Sequence, residues 1–218
     1  MNRENTEFLM SVLKKLSKIN YIKPGDVPNI NLYMDQVTTF MDEHLSDCKR
    51  HEDDKILTKT MINNYTKNDL LPPPEKKKYS KDHLYLLAFI YYFKNILCIS
   101  DIQKLLNPLT ENFFATDSSS KSDLDAIYED VYEMCKSQIG SLSKDVISKA
   151  KLADTSVSDM EDSESKNFLN MFYLVSMLSF DVYLKKNLIE TLIDDYNAKH
   201  APAEPDKPKK DKSKKDKK

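Results

Sequence analysis

Three consecutive lysines, Lys76 to Lys78, and the amides Asn63 and Asn64 are the residues of this chain best suited to binding a ligand. Lysine ammonium groups bind the phosphates of nucleic acids, and an asparagine amide can pair with adenine N6 and N7 in the major groove. The lysines follow the proline run Pro72-Pro73-Pro74 and precede Tyr79. This order predicts a polar helix and a basic loop that both contact DNA.

A short polar helix is predicted before this basic loop. Thr58 can cap its N-terminus, the helix continues to Lys67, and Met61, Ile62 and Tyr65 would face inward. The residues that we expect to contact DNA are Lys59, Thr60, Asn63, Asn64, Lys67, Lys76, Lys77, Lys78 and Tyr79. About four to six phosphate contacts would make log K fall with log salt with a slope of roughly −4 to −5.

Each of these residues also has an ordinary structural explanation. A run of three lysines is more often a solvated loop than a DNA contact, and Asn63 and Asn64 are equally well explained as exposed polar residues. Tyr65 and Tyr79 are better explained as packing the loop onto the core than as touching DNA. The order of the segments favours DNA, because a helix ending in Leu70-Leu71 and the prolines precede the lysines.

Apolar residues recur at helical spacing along most of the chain, and there are only two glycines. So few glycines argue against glycine-rich phosphate loops and against folds rich in β-hairpins, so we predict an all-α fold. The predicted helices cover 4–19, 31–45, 58–67, 81–97, 100–107, 124–135, 141–152 and 166–197. Ser100 should cap the fifth helix, Pro108 and Gly140 should end helices, and Asp181 could interrupt the last one. Residues 46–54 should be an exposed loop or the frayed end of a helix.

Charge is unevenly distributed along the chain. The formal net charge is −2, but residues 55–94 carry eight lysines against three acids, and the tail from Ala201 carries eight lysines against four acids. The remaining residues are therefore acidic, near −11. A basic patch on an acidic body indicates a localised contact with a polyanion.

The chain offers little for catalysis or metal binding. Cys48, Cys98 and Cys135 are too widely spaced for a zinc site or a disulfide framework, and the four histidines are scattered. The longest apolar run, 84–93, is far shorter than the ~20 residues of a membrane span, and the N-terminus lacks a signal peptide. We therefore expect a soluble cytoplasmic protein with no enzymatic activity, no cofactor and no metal.

Several strings around the basic loop resemble the MerR-type winged helix-turn-helix. They are Thr60 to Tyr65, Leu70-Leu71-Pro72, Lys78-Tyr79-Ser80 and the turn Ile99 to Ile102. Tyr65, Leu70 and Tyr79 match that family's pattern. The resemblance implies that helix 58–67 lies in the major groove and that 72–79 forms the wing.

The chain departs from the MerR pattern at three positions and in one insertion. Asn63 stands where arginine is usual, Asn64 also differs, and Asp69 replaces a glycine. An extra stretch near 46–55 separates the first two helices of the motif.

Residues 27–110 as a whole more closely resemble an uncharacterised bacterial family, domain of unknown function eighteen-thirty-six. The strings that carry this resemblance are LYMDQVTTFM, LTKTMINNYTKNDLLPPPEKKKYSKDH and IYYFKNILCISDIQ. That family's function is inferred only from its helix-turn-helix appearance, so the resemblance implies a fold more than an activity.

These observations divide the chain into an N-terminal helix (1–26), a winged helix-turn-helix (27–110), a C-terminal helical region (123–198) and a disordered lysine-rich tail (199–218). We expect a transcriptional regulator that binds double-stranded DNA as a homodimer, because helix 166–197 has more apolar positions than one short partner helix can cover. The C-terminal region would dimerise or receive a signal. The alternative is a protein-interaction adaptor that keeps the helix-turn-helix shape without binding DNA, which Asn63 and the acidic body favour.

Overall fold

A computed structural model of the chain describes residues 22–114 and 123–200, and also Glu7, Met10, Ser11, Leu13 and Lys14, which are helical. Its six α-helices are α1 (Met34–Leu45), α2 (Lys59–Lys67), α3 (Lys81–Phe93), α4 (Ile99–Phe113), α5 (Asp123–Ser156) and α6 (Ser163–His200). Two short strands, β1 (Leu32–Tyr33) and β2 (Lys78–Tyr79), and two 3-10 turns, Pro24–Asp26 and Ser46–Cys48, complete the described elements. The mainly helical prediction is confirmed.

Some sequence predictions fall outside these residues. Most of the predicted helix 4–19, the linker 116–122 and the tail beyond His200 lie outside the described residues. No helix of the described part of the chain is long and apolar enough to cross a membrane.

Helix α3 is the centre of the core. Its residues 82–91 are all buried, which explains why this helix is apolar on nearly every side. The helices around it contribute further buried side chains: Val37, Met41 and Leu45 from α1, Ile62 and Tyr65 from α2, and Ile102 and Leu106 from α4. Burying a large apolar side chain stabilises the fold by about 1.5–3 kcal/mol, so α3 organises residues 22–114.

The two strands form a small antiparallel sheet that sequence reasoning did not predict. Leu32 pairs with Tyr79, and Tyr33 pairs with Lys78. The pairing joins segments more than forty residues apart, so local sequence patterns do not signal it. It fixes the end of the basic loop to the start of α1.

Helices α5 and α6 form an antiparallel hairpin. Lys149 pairs with Asp181 at 2.8 Å, and the Asn170 amide donates to the Asp154 carboxylate at 3.2 Å. The open end of the hairpin packs on the core through Leu124 and Tyr128 of α5 and Ile193 of α6. The buried Tyr128 hydroxyl also donates to the Ile22 carbonyl at 2.8 Å.

The predicted breaks within the hairpin are wrong. Helix α5 runs through Gly140 to Ser156, because an interior glycine costs only about 1 kcal/mol, which a long packed helix can bear. Helix α6 runs through Asp181, whose carboxylate accepts from Lys149 of α5. Helix α5 extends to Ser156, beyond the predicted end at residue 152, and residues 199–200, assigned to the tail, are helical.

The predicted ends of α3 and α4 also need correction. Helix α4 continues through Pro108 to Phe113, although a proline has no N–H to donate to the carbonyl four residues earlier. Burial of Ile102 and Leu106 on the preceding turns holds the helix together. Cys98 rather than Ser100 is its N-cap residue, with extended backbone angles, and α3 ends at Phe93 rather than at residue 97.

Candidate nucleic-acid interface

Helix α2 presents a polar face that is held in place by its buried face. The Thr58 hydroxyl accepts from the Met61 backbone N–H at 3.1 Å, which fixes the first turn. Ile62 and Tyr65 are buried in the core. The residues predicted to contact DNA on this helix are all exposed: Lys59, Thr60, Asn63, Asn64 and Lys67.

The C-terminus of α2 ends in a Schellman motif that directs the chain into the basic loop. Asp69 has φ 53°, and the Leu70 N–H donates to the Tyr65 carbonyl at 2.9 Å. The Asp69 N–H donates to the Thr66 carbonyl at 3.3 Å, and Leu70 and Leu71 are buried. Asp69 thus supplies a left-handed residue where the MerR pattern has glycine, a conformation that aspartate tolerates better than most residues.

The tip of the basic loop is a tight turn with two left-handed lysines. The Lys78 N–H donates to the Glu75 carbonyl at 2.8 Å, and the two residues between them, Lys76 and Lys77, have φ 48° and 66°. Positive φ at both central positions defines a type I′ turn, which favours Asn-Gly. Each left-handed lysine costs about 1–2 kcal/mol relative to a residue suited to the turn. The Lys76 side chain is 87 % exposed, so its ammonium group extends into solvent.

The base of this loop and the start of α2 meet at one short segment. The Lys78 ammonium lies 5.2 Å from the centre of the Tyr33 ring. Lys59, at the start of α2, forms an ion pair with Asp35. Since Tyr33 and Asp35 are two residues apart, the structure brings the polar face of α2 and the basic loop together.

Tyr79 lies in the core, unlike the other predicted site residues. It is 3 % exposed, and its ring meets the His83 ring edge-on at 5.4 Å. The structure thus favours the packing explanation of Tyr79 over contact with DNA. Lys78 is half-buried, so the exposed lysines of the loop are Lys76 and Lys77.

His83 connects the loop to α3, a role that sequence reasoning missed. Its Nδ1 accepts from the Ser80 backbone N–H at 2.9 Å, which caps α3. Burial lowers the pKa of His83 to about 4, and the carbonyls of Pro73 and Pro72, which favour the charged ring, offset this only partly. The neutral ring thus holds the loop against the core. The Ser80-x-x-His83 spacing could have suggested this role.

An acidic recess lies beside the N-terminus of α2. Its volume is about 640 Å³, and five acids outnumber three lysines in its lining: Asp42, Glu43, Glu52, Asp53 and Asp54 against Lys49, Lys55 and Lys59. The recess contains part of the 46–55 insertion, which is indeed irregular apart from one 3-10 turn. Within the described residues, no three or more His, Cys, Asp or Glu side chains are arranged to hold a metal ion.

Residues 22–135 match the family model described as Domain of unknown function (DUF1836), which covers more than half of the chain. The chain belongs to this family. No curated protein and no solved structure matches it. The sequence-based resemblance to this family is confirmed, and the match extends beyond the predicted 27–110 at both ends.

The DUF1836 unit includes the first turns of α5, and a polar cluster explains why they belong to it. The Lys81 ammonium donates to both oxygens of Asp125, at 2.9 and 3.0 Å, and the Tyr85 hydroxyl donates to the same carboxylate. Burial and the Asp125 carboxylate hold the pKa of Tyr85 far above its ordinary value, so the phenol stays protonated. The Tyr85 and Tyr128 rings stack at 4.3 Å. Helix α5 therefore completes the surroundings of α3.

Proposed function

We propose that this protein is a DNA-binding transcriptional regulator that places α2 in the major groove and the 72–79 wing along the adjacent backbone. The observation that carries the proposal is the wing tip, where Lys76 and Lys77 both adopt left-handed conformations beside the exposed polar face of α2. Asn-Gly would make this turn more stable than two lysines do. The presence of the lysines therefore supports a functional role for their positive charges.

The order of elements supports a MerR-like arrangement. A strand, two helices, a wing and two further helices follow one another as β1, α1, α2, the wing, α3 and α4. In such a motif the second helix enters the major groove. The exposed Asn63 and Asn64 would then be directed at base edges, with adenine as the preferred base.

The lysines set the strength expected of the electrostatic contact. Lys59 and Lys67 on α2, with Lys76, Lys77 and Lys78 on the wing, could neutralise up to about five phosphates. The slope of log K against log salt would then be roughly −4 to −5.

Fluorescence anisotropy with a mixed-sequence DNA duplex, measured over a series of salt concentrations, tests the proposal. The informative variant is Lys76→Glu/Lys77→Glu, since both positions are exposed and the half-buried Lys78 is left intact. The matched control is Lys144→Glu/Lys151→Glu, which makes the same charge change at exposed positions of α5. We expect the wild type and the control to bind with the steep slope, and the wing variant to lose about tenfold or more in affinity.

Two results would contradict the proposal. One is the absence of wild-type binding at low salt and high protein concentration. The other is an equal loss of affinity in both variants, which would mean that DNA binding depends on the net charge of the protein rather than on the lysines of the wing.

A second candidate, a protein-interaction adaptor that does not bind DNA, is favoured by the acids around the same surface. Lys59 is paired with Asp35, Lys76 lies 3.7 Å from Glu75, and the acidic recess borders α2. This function predicts no DNA binding at any salt concentration and no effect of the wing variant, so the same titration separates the two candidates.

A further inference from the structure

Helix α6 carries an apolar stripe that is covered in its second half and open in its first half; further exposed apolar side chains, among them Phe180, Leu184 and Leu188, lie on its other sides. Ile189 packs against the core cluster and Ile193 is buried within it. Steps of seven residues, which return to nearly the same side of a helix, lead back from Ile189 through Val182 to Val175; those from Ile193 pass Lys186 and Ser179 before they reach Phe172. The face that the core covers near residue 190 therefore continues along the first half of α6.

The first half of this stripe is open to solvent. Its apolar members are between 52 % and 60 % exposed: Phe168, Met171, Phe172, Val175 and Val182. They span roughly 21 Å of helix at 1.5 Å per residue. Helix α6 meets α5 through a different side, which carries Asn170 and Asp181. A continuous apolar patch of this kind usually marks an interaction surface.

We propose that this stripe pairs antiparallel with the same stripe of a second copy of the chain, about a two-fold axis near Val175. The large side chains Phe168 and Phe172 lie toward one end of the stripe, and the smaller Ser179 and Val182 lie toward the other. An antiparallel pair sets large against small, whereas a parallel pair sets phenylalanine against phenylalanine. A two-fold interface requires such a self-complementary surface.

The charges at the two ends of the stripe select the same orientation. Glu161, Asp162 and Glu164 lie before the stripe, and Lys185 and Lys186 lie at its other end, where Lys186 also pairs with Glu190 of its own helix at 3.6 Å. Antiparallel pairing about Val175 brings the lysines of one copy within about a turn of the acids of the second copy, at both ends. Parallel pairing would place like charges together. This charge complementarity is why the proposed occupant is a second copy of this chain.

The pairing goes beyond the proposed DNA binding and does not depend on it. The stripe is about 21 Å long, and its flanks include the exposed Phe180 and Tyr183. An interface of this length would bury an area near the lower end of the range for specific interfaces. We therefore expect a dimer with a micromolar dissociation constant, which forms without DNA.

Sedimentation equilibrium of the full chain between about 1 and 100 µM, without DNA, tests the pairing. We expect the wild type to shift from 25.3 kDa toward twice that mass as its concentration rises. Val175→Glu should raise the dissociation constant about a hundredfold, because it places two carboxylates at the two-fold axis. The matched control is Leu188→Glu, an equally exposed leucine of α6 outside the stripe, and it should dimerise like the wild type.

A charge exchange tests the orientation and keeps the stripe intact. Lys185→Glu/Lys186→Glu should weaken the dimer about tenfold, and adding Glu161→Lys/Glu164→Lys should restore it, since the exchange recreates opposite charges only in an antiparallel pair. If Val175→Glu loses its helical circular dichroism, these substitutions at exposed positions still test the pairing. A wild type that stays monomeric at 100 µM, a dimer insensitive to Val175→Glu, or a charge exchange without rescue would each overturn the proposal.

Discussion

The core around α3 and the middle of the α5–α6 hairpin are both rich in apolar residues, yet they use them in opposite ways. In α3, ten consecutive residues from 82 to 91 are buried. In the first half of α6, more than half of the surface of Phe168, Phe172 and Val175 faces solvent. A high content of apolar residues therefore does not by itself show that a segment is buried within the chain. Residues 22–114, together with Leu124, Tyr128 and Ile193 of the hairpin, bury most of their large apolar side chains, whereas the first half of α6 leaves such side chains exposed.

The largest expected effect comes from removing equal side chains in the two regions. Leu86→Ala in α3 should lower the free energy of unfolding by about 2–5 kcal/mol, because the side chain is fully buried and its loss leaves a cavity. Leu188→Ala in α6 should change it by less than about 0.5 kcal/mol, since that side chain is 59 % exposed. Urea titrations at a low protein concentration measure both. Equal losses would remove the distinction between the regions.

The second expected effect is a pH dependence of the free energy of unfolding that arises from His83 in the core. The pKa of His83 is about 4 in the folded protein and near 6.5 when unfolded, so the unfolded chain binds the extra proton between these values. Above pH 6.5, the neutral His83 ring contributes its full share, at most about 3 kcal/mol, to the free energy of unfolding. This contribution is lost as the pH falls from 6.5 to about 4. The difference in unfolding free energy between wild type and His83→Gln, followed from pH 7 to 4, measures it. A difference that stays constant with pH would contradict the assignment.

The joint between the two regions should show a smaller effect. Asp125→Asn leaves the largely buried Lys81 without its carboxylate and should lower the unfolding free energy by about 1–3 kcal/mol. Glu133→Gln is the control, because its partner Lys136 is exposed on the same helix and such pairs contribute less than about 1 kcal/mol. Thermal unfolding of both variants compares them. Similar shifts would mean that the hairpin is not attached through Asp125.

The smallest effect concerns the hairpin alone. Gly140→Ala should raise the unfolding free energy by about 0.5–1 kcal/mol, because α5 is continuous there and an added Cβ meets nothing within 4 Å. Urea unfolding monitored by circular dichroism measures the gain. A loss of stability would indicate that the helix bends at this glycine in solution.

Local signals in the sequence predicted much of the core but little of its assembly. The cap at Thr58 and the buried Ile62 and Tyr65 of α2 follow from capping chemistry and helical periodicity, and the structure confirms them. Pro108 and Gly140 misled the prediction, because tertiary packing outweighs a local penalty of a few kcal/mol.

The geometry of the candidate site depended on contacts that no local pattern contains. The pairing of Tyr33 with Lys78 joins distant segments, and the left-handed turn at Lys76 and Lys77 occurs where the residue types argue against it. The residues of the site could be chosen from composition and order. Their arrangement in space could be known only from the folded structure.

The hydrogen bond from Tyr128 to the Ile22 carbonyl has a consequence for how this family unit can be moved between proteins. At 2.8 Å it brings the point where the chain enters the unit next to the helix by which it leaves. Because the entry at Ile22 lies about two helical turns from the end of the unit at residue 135, we expect the unit to tolerate insertion into a surface loop of another protein. A fragment that ends at Phe114 would lack this hydrogen bond and also the Tyr128 ring that stacks on Tyr85.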